Sequence, residues 1–335
     1  MKFITLENKF NTEITLCNVG ASIYNIKTLG RYGLSESILV TPLRKNEFIY
    51  SNSYFGKTIG RTGGRISNSI FELNSKTYKI KSNDPNGLHG GIDGISMKEF
   101  DYLENETRDY YEIIFYYLSP NLESGYPGNL KLDVIYRLYK NENKLSVNYK
   151  ATTDEDTLLN LSNHSYFNLN SEMGNDILRH KLYINASKME EIKNLLPVGI
   201  VDCKDIYSFK EPHEIGKYLF NSEIIKNTNG YDFPYIFDDC GLGNENIRLV
   251  DNLSGRYVSI ETTYPVCVVY TCNYCEDIEV VSNRKMRPYD AVCLECMYHP
   301  NTINSSFLSE KKDVLTSNRE YDETIIYKFG IVGEN

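Results

Sequence analysis

The sequence predicts an all-β protein, a single large antiparallel β-sandwich over residues 1–335. Tyrosine and phenylalanine are abundant, at 28 and 14 residues, and aromatic side chains favour the pleated, half-buried surface of a strand. Apolar residues recur at a period of two through several segments, whereas helical periodicity is scarce. Turn signals separate these segments, and no internal repeat, low-complexity tract or Pro/Gly-rich linker divides the chain. All-β sandwiches of this order of size form one unit.

The elements follow in order. Phe71 to Tyr78 reads as a tight hairpin, and Tyr110 to Leu118 alternates as a strand. In Leu130 to Leu138 the residues Leu130, Leu132, Val134, Tyr136 and Leu138 share one face. Asn141-Glu142-Asn143 then turns the chain, and Leu145, Val147, Tyr149 and Ala151 repeat the pattern. His213 to Leu219 is expected to form a short helix. Ile247 to Val258 reads as two strands broken at Asn252-Leu253-Ser254-Gly255, and Ser305 to Arg319 as a loop or short helix. Such close strand spacing leaves little room for a βαβ dinucleotide unit. Gly60 to Arg65 contains glycines, but without the G-x-G-x-x-G spacing.

A formal net charge of −9 argues against nucleic acid or an anionic membrane as partner. Met1 to Lys9 lacks the apolar core of a signal peptide. Apolar runs such as Tyr264 to Tyr270 fall far short of the ~20 residues of a membrane helix. Eight cysteines without an export signal are expected to be reduced thiols in the cytoplasm.

The chemistry is concentrated in three segments. Asn163-His164-Ser165-Tyr166 places one of only five histidines among hydrogen-bonding neighbours on a strand-like segment. Gly87-Leu88-His89-Gly90-Gly91 carries a second, and Cys293-Leu294-Glu295-Cys296 sets a carboxylate in an apolar strand. Two histidines and a carboxylate are the parts of an acid–base site that needs no metal, cofactor or nucleophile.

These segments, in this order, resemble the aldose 1-epimerase (galactose mutarotase) family. Similarity extends to Ser82-Asn83-Asp84-Pro85-Asn86-Gly87, Gly125 to Leu130, Gly230-Tyr231-Asp232, Tyr270-Thr271-Cys272-Asn273 and Tyr321 to Phe329, nearly the full chain. The resemblance implies a galactose mutarotase-like supersandwich and a cofactor-independent interconversion of the α and β anomers of a free aldose. It makes Glu295 the general base and His164 the general acid. Arg65, His89 and Asp232 match residues that hold sugar hydroxyls, and Tyr166 shapes the pocket floor. The expected partner is a small monosaccharide, and the expected state a monomer or homodimer.

Each residue also has a structural reading. His164 could be a satisfied strand histidine, His89 a turn residue and Asp232 an Asx-turn residue. An ionised Glu295 facing a core needs a partner, and a buried ion pair with Arg65 would supply one. Two C-x-x-C pairs, Cys272/Cys275 and Cys293/Cys296, are separated by the 17 residues Glu276 to Val292, the spacing of a four-cysteine zinc site. Both lie in or at the edge of strand-like runs, where residues three apart point to opposite faces. No metal is therefore expected, and Cys293 should share a face with Glu295.

Four positions depart from the family pattern. Gly64 stands where an Asn usually precedes the arginine, and Val268 where a Gln precedes the Tyr-Thr-x-Asn segment. Met297 replaces a Gln, and Phe233 a polar residue after Gly-Tyr-Asp. Part of the hydroxyl-reading shell is thus expected to be missing, which loosens discrimination among sugars. A sugar-binding protein with little turnover would not need the Glu295–His164 pair. A sugar-phosphate epimerase would need a basic grip beyond Arg61 and Arg65.

Overall fold

Aromatic and aliphatic side chains on alternate strand positions bury themselves by stacking sheets, and the computed structural model shows that outcome. It describes every residue except Asn83, Glu334 and Asn335, and the side chains of Ile225 and Asn227. Asn83 of the Ser82–Gly87 segment therefore lies outside the described residues.

A nine-stranded antiparallel sheet runs in the order Asp101–Glu106, Tyr110–Ser119, Leu130–Tyr139, Lys144–Thr153, Tyr321–Ile331, Arg256–Thr262, Ile247–Val250, Lys181–Ile184 and His213–Glu214. A six-stranded sheet runs Tyr166–Phe167, Val292–Met297, Val266–Tyr270, Asp232–Ile236, Lys188–Lys193 and Leu196–Asp202. Phe115, Tyr136, Tyr149 and Tyr327 of the first and Tyr235, Cys267, Leu294 and Cys296 of the second share one apolar core. A four-stranded sheet at the N-terminus adds Leu16, Ile23 and Ile26 to it. Each fully buried apolar side chain stabilises by roughly 1.5–3 kcal/mol, so this core is the main source of stability.

The period-two faces pair as the alternation predicts. Leu138 faces Leu145, Tyr136 faces Val147, Val134 faces Tyr149 and Leu132 faces Ala151 across one ladder. Phe71 to Tyr78 is a hairpin turned by Asn74 and Ser75 at φ 51° and 61°, the left-handed pair that matches strand twist. The expected helix His213 to Leu219 is corrected. His213–Glu214 is an edge strand beside Lys181–Leu182, and only Gly216–Leu219 is helical. The His213 ring stacks on Phe209 with centroids 4.7 Å apart, which fixes it to the sheet. Short helices Lys45–Tyr50 and Ser222–Thr228 were not anticipated. In Ser305 to Arg319 the loop is interrupted by Val314–Leu315, paired with Thr157–Leu158. No helix among the described residues is long and apolar enough to cross a membrane.

Arg61 ties the segment leading to Arg65 into this framework. Its buried guanidinium donates to the carbonyls of Pro127 at 2.8 Å, Ser119 at 3.0 Å and Gly128 at 3.1 Å, and to Thr157 Oγ1 at 3.2 Å. Burial lowers its pKa to about 10, which leaves it charged at neutral pH. Arg61→Leu should therefore orphan several carbonyls and destabilise the fold by about 3 kcal/mol. A urea midpoint unchanged from wild type would show that these bonds contribute nothing net.

Candidate active site

The outer face of the six-stranded sheet builds the floor of a cavity of about 340 Å³. Strand parity decides which residues reach it. Leu294 and Cys296 enter the core, so Cys293 and Glu295 face outward. The register then lines up two rows. Tyr166, Cys293, Tyr270 and Asp232 form one across four strands, and Glu295, Val268 and Pro234 form the next. Asp232 and Glu295 therefore stand on the same face one row apart.

His164 hangs over this floor from a break between two short strands. Its N–H donates to Lys57 O at 3.0 Å and its carbonyl accepts from Gly56 N at 2.8 Å. Asn163 Nδ2 braces the same turn through Gly56 O at 2.9 Å. The ring is enclosed by aromatic neighbours, with centroids 5.1 Å from Tyr166, 5.2 Å from His89 and 6.1 Å from Tyr54. Nε2 lies 3.4 Å from Glu295 Oε1, and Nδ1 lies 3.5 Å from Cys293 Sγ.

Burial acts on the two groups in opposite directions. It lowers His164 to about 4 and raises Glu295 well above the usual carboxylate range. The neighbouring Asp232 pushes Glu295 further up, and Arg65 opposes. Both shifts favour the uncharged forms, a neutral imidazole beside a protonated carboxyl, with the two groups close enough for one proton to move between them.

Arg65 and His89 come from a two-strand ladder in which Arg65 pairs with Leu88. His89, at φ 47°, donates its backbone N–H to Gly64 O at 2.9 Å. In return the Gly64 N–H donates to His89 Nδ1 at 3.2 Å. An N–H can only donate, so Nδ1 is the bare nitrogen and Nε2 carries the proton. Desolvation, with His164 and Arg65 nearby, holds this ring neutral by lowering its pKa well below normal. Arg65 Nε is buried without an acceptor among the described residues. Asp232 reaches the cavity with its carboxyl raised to about 6, mainly by desolvation.

The model of the aldose 1-epimerase family matches residues 2–328. The chain belongs to that family. It is 29% identical to the galactose mutarotase of Bos taurus, over 95% of this chain and 91% of that protein. It is 28% identical to an aldose 1-epimerase of Haemophilus influenzae, over 90% and 88%. Galactose 1-epimerase from Lactobacillus acidophilus superposes with a TM-score of 0.86 at 26% identity, covering 98% of this chain and 94% of that one. The chain is an isomerase that interconverts the anomers of an aldose.

In this epimerase, six residues singled out from the sequence converge on the one cavity: Arg65, His89, His164, Tyr166, Asp232 and Glu295. The ion pair between Glu295 and Arg65 is not formed; His164 is the group at 3.4 Å from the carboxylate. Of the four positions that depart from the family pattern, two do not line the cavity. Phe233 turns away from the cavity into the core against Tyr207, and Met297 is sealed beneath Ile59 and Val268. Gly64 and Val268 do line it. A Cβ on Gly64 would lie 2.9 Å from Pro300 Cβ, at φ +73°, so a side chain there requires Pro300 to move.

The cysteine geometry also divides. Cys293 and Cys296 point to opposite faces, as strand parity requires. Cys272, at φ 52° past the end of Val266–Tyr270, begins a turn instead, and brings its Sγ within 3.4 Å of Cys275 Sγ. Among the described residues, the group within metal-ligand reach is His89, His164 and Glu295, with atoms within 4.8 Å of one another. The His89 tautomer opposes that use. A metal on Nε2 would drive the ring proton to Nδ1, which already faces the Gly64 N–H.

The sequence did not single out Tyr54, Tyr274, Glu276 or the apolar rim of Ile192, Leu195 and Pro197. Tyr270 was legible, since it shares the period-two face of Val268. The others arrive on loops and at a hairpin end, which carry no periodicity.

If Asp232 holds a sugar hydroxyl, it gives binding an acidic limb. Its folded pKa is raised, so the carboxylate is lost as pH falls through about 6. KM for an aldose should then rise several-fold below that pH, and Asp232→Asn should show a high KM with no such limb. KM followed by polarimetry across pH is the check; a wild-type limb surviving in the variant assigns it to another group.

Proposed function

We propose that Glu295 acts as general base and His164 as general acid in opening and reclosing the pyranose ring of a free aldose. The observation that carries this reading is the 3.4 Å approach of His164 Nε2 to Glu295 Oε1 at the bottom of the cavity. The anomeric hydroxyl oxygen and the ring oxygen are bonded to the same carbon, so acid and base must converge on one small region. One proton shared between the pair is the count such a step needs: one group takes a proton as the other gives one. The step runs from the form in which His164 carries the shared proton and Glu295 is ionised: Glu295 removes the hydroxyl proton while His164 protonates the ring oxygen. The ring opens, the C1–C2 bond rotates, and the reverse transfers close it as the other anomer.

The other residues hold the sugar. His89 offers its Nε2–H, Arg65 its guanidinium donors, and Asp232 an acceptor while ionised; Tyr166 forms the floor. The reaction proceeds in one sandwich unit over residues 1–335, as monomer or homodimer. A cytoplasmic setting suits its free thiols. Glu295→Gln and His164→Asn should each lower kcat for mutarotation by ~10²-fold or more while circular dichroism stays unchanged. Near-wild-type turnover in both would refute the assignment.

Val268 sits directly between Glu295 and Pro234, and Ile192, Leu195 and Pro197 extend an apolar wall from there. Such a wall makes no hydrogen bond to a hydroxyl, so sugar discrimination should be flat, with high KM and substantial kcat. A deoxy sugar should be accepted at least as well as its parent. kcat/KM across galactose, glucose, xylose, arabinose and fucose tests this. A sharp preference for galactose at low KM would show that other contacts read the hydroxyls.

A further inference from the structure

The mechanism above uses no thiol, yet three sulfurs stand at or behind the cavity wall. Cys293 Sγ is fully buried against His164, whereas Cys272 and Cys275 form a pair with Sγ atoms 3.4 Å apart. The left-handed turn at Cys272 folds the segment back, and Cys275 Sγ also lies 3.7 Å from the Cys272 carbonyl oxygen. Cys275 is half-buried and lines the cavity; Cys272 is buried behind it. A hydrogen bond from Cys272 holds the Cys275 thiol below its ordinary pKa, against the effect of burial. A thiolate-leaning cysteine reachable from solvent beside a second thiol is the arrangement that oxidises reversibly.

We propose that Cys272 and Cys275 form an oxidant-responsive dithiol–disulfide site in the wall of the sugar cavity, taking a hydroperoxide as co-substrate. The Cys275 thiolate attacks one peroxide oxygen. The O–O bond breaks, an S–O bond forms, and the leaving hydroxide takes up a proton as water. Cys272 sulfur then attacks the sulfenic sulfur, an S–S bond replaces the S–O bond, and the hydroxyl leaves with the Cys272 proton as a second water. Two thiols lose two hydrogens, and one hydrogen peroxide is reduced to two waters. Closing from 3.4 Å to a bonded ~2.05 Å requires only local movement of the turn.

That movement is coupled to the cavity wall. Tyr274 exchanges hydrogen bonds with the Tyr270 hydroxyl, its N–H donating at 3.1 Å and its carbonyl accepting at 3.2 Å. Glu276, next in the chain, accepts from Ser51 Oγ and Ser53 Oγ at 2.9 Å each. Tyr270, Tyr274 and Glu276 all line the cavity. Oxidation should therefore act on sugar binding. This consequence rests on the mutarotase reading, whereas formation of the bond does not.

The experiment treats the purified full-length protein with hydrogen peroxide and maps its peptides by mass spectrometry, in parallel with polarimetry. The expected peptide spanning Cys272 and Cys275 has lost two hydrogens and regains them with dithiothreitol. KM should rise several-fold, with kcat changed less than ~2-fold, the split expected when binding alone is affected. Cys272→Ser should retain the turnover of the reduced protein, form no link, and lose the reversible KM response; Cys272→Ala gives the same reading should the serine disturb the turn. Free thiols at both positions when the exposed Cys240 is fully oxidised, or Cys275 over-oxidised without a link, would overturn the proposal. A link with unchanged KM would overturn its coupling to the cavity. If the reduced protein turned over no aldose, the mutarotase reading would fail while the peptide map still decided the dithiol.

Discussion

A carboxylate on a strand with no exposed residue is the constraint around which the site is organised. Every residue of Val292–Met297 is buried, Glu295 included. An isolated ionised carboxylate there would be strongly disfavoured, so the surroundings must either neutralise it or partner it. They do both to a degree. His164 approaches to 3.4 Å, Arg65 opposes the upward shift, and desolvation favours the protonated acid. The same desolvation makes His164 a weak base. Two groups driven toward their neutral forms thus stand close enough for one proton to move between them.

Such poise survives only if neither group can turn away to find water. The backbone clamp on His164 through Gly56 and Lys57 fixes its position, and the rings of Tyr54, Tyr166 and His89 fix its orientation. Reciprocal bonds between Gly64 and His89 fix a tautomer as well as a place. Behind them Arg61 anchors the chain leading to Arg65 through carbonyls of a distant loop. A buried cation bonded to carbonyls contributes little net stability compared with the core, but it restricts the backbone to one path. Stability thus comes from the shared aromatic core, and precision from polar groups around its edge.

The wall from Tyr270 to Glu276 has a different character from the floor. The floor is a strand ladder whose register is set by the core. The wall is a turn held by a tyrosine hydroxyl and two serine hydroxyls, with two sulfurs in van der Waals reach. Turns of this kind reorganise at lower free energy than ladders. Floor and wall are therefore held by different kinds of bond.

Fold class and the faces of the strands were legible in the sequence. Alternation in Leu130 to Leu138 specified the pairing face, and parity put Cys293 with Glu295 and split Cys293 from Cys296. The same parity would have excluded Phe233 from the Asp232 face. Six site residues were legible because their segments match a family in order. Tertiary structure alone decided the rest. Parity assigns a face but not what covers it, so Met297 shares the face of Glu295 and is still sealed under Ile59. Periodicity is silent in turns, which hid the left-handed Cys272 and the meeting of its sulfur with Cys275. Edge pairing and the Phe209 stack likewise overrode a helical pattern at His213. Distances between segments far apart in the chain, His164 to Glu295 above all, follow from packing of the whole core, and no local pattern encodes them.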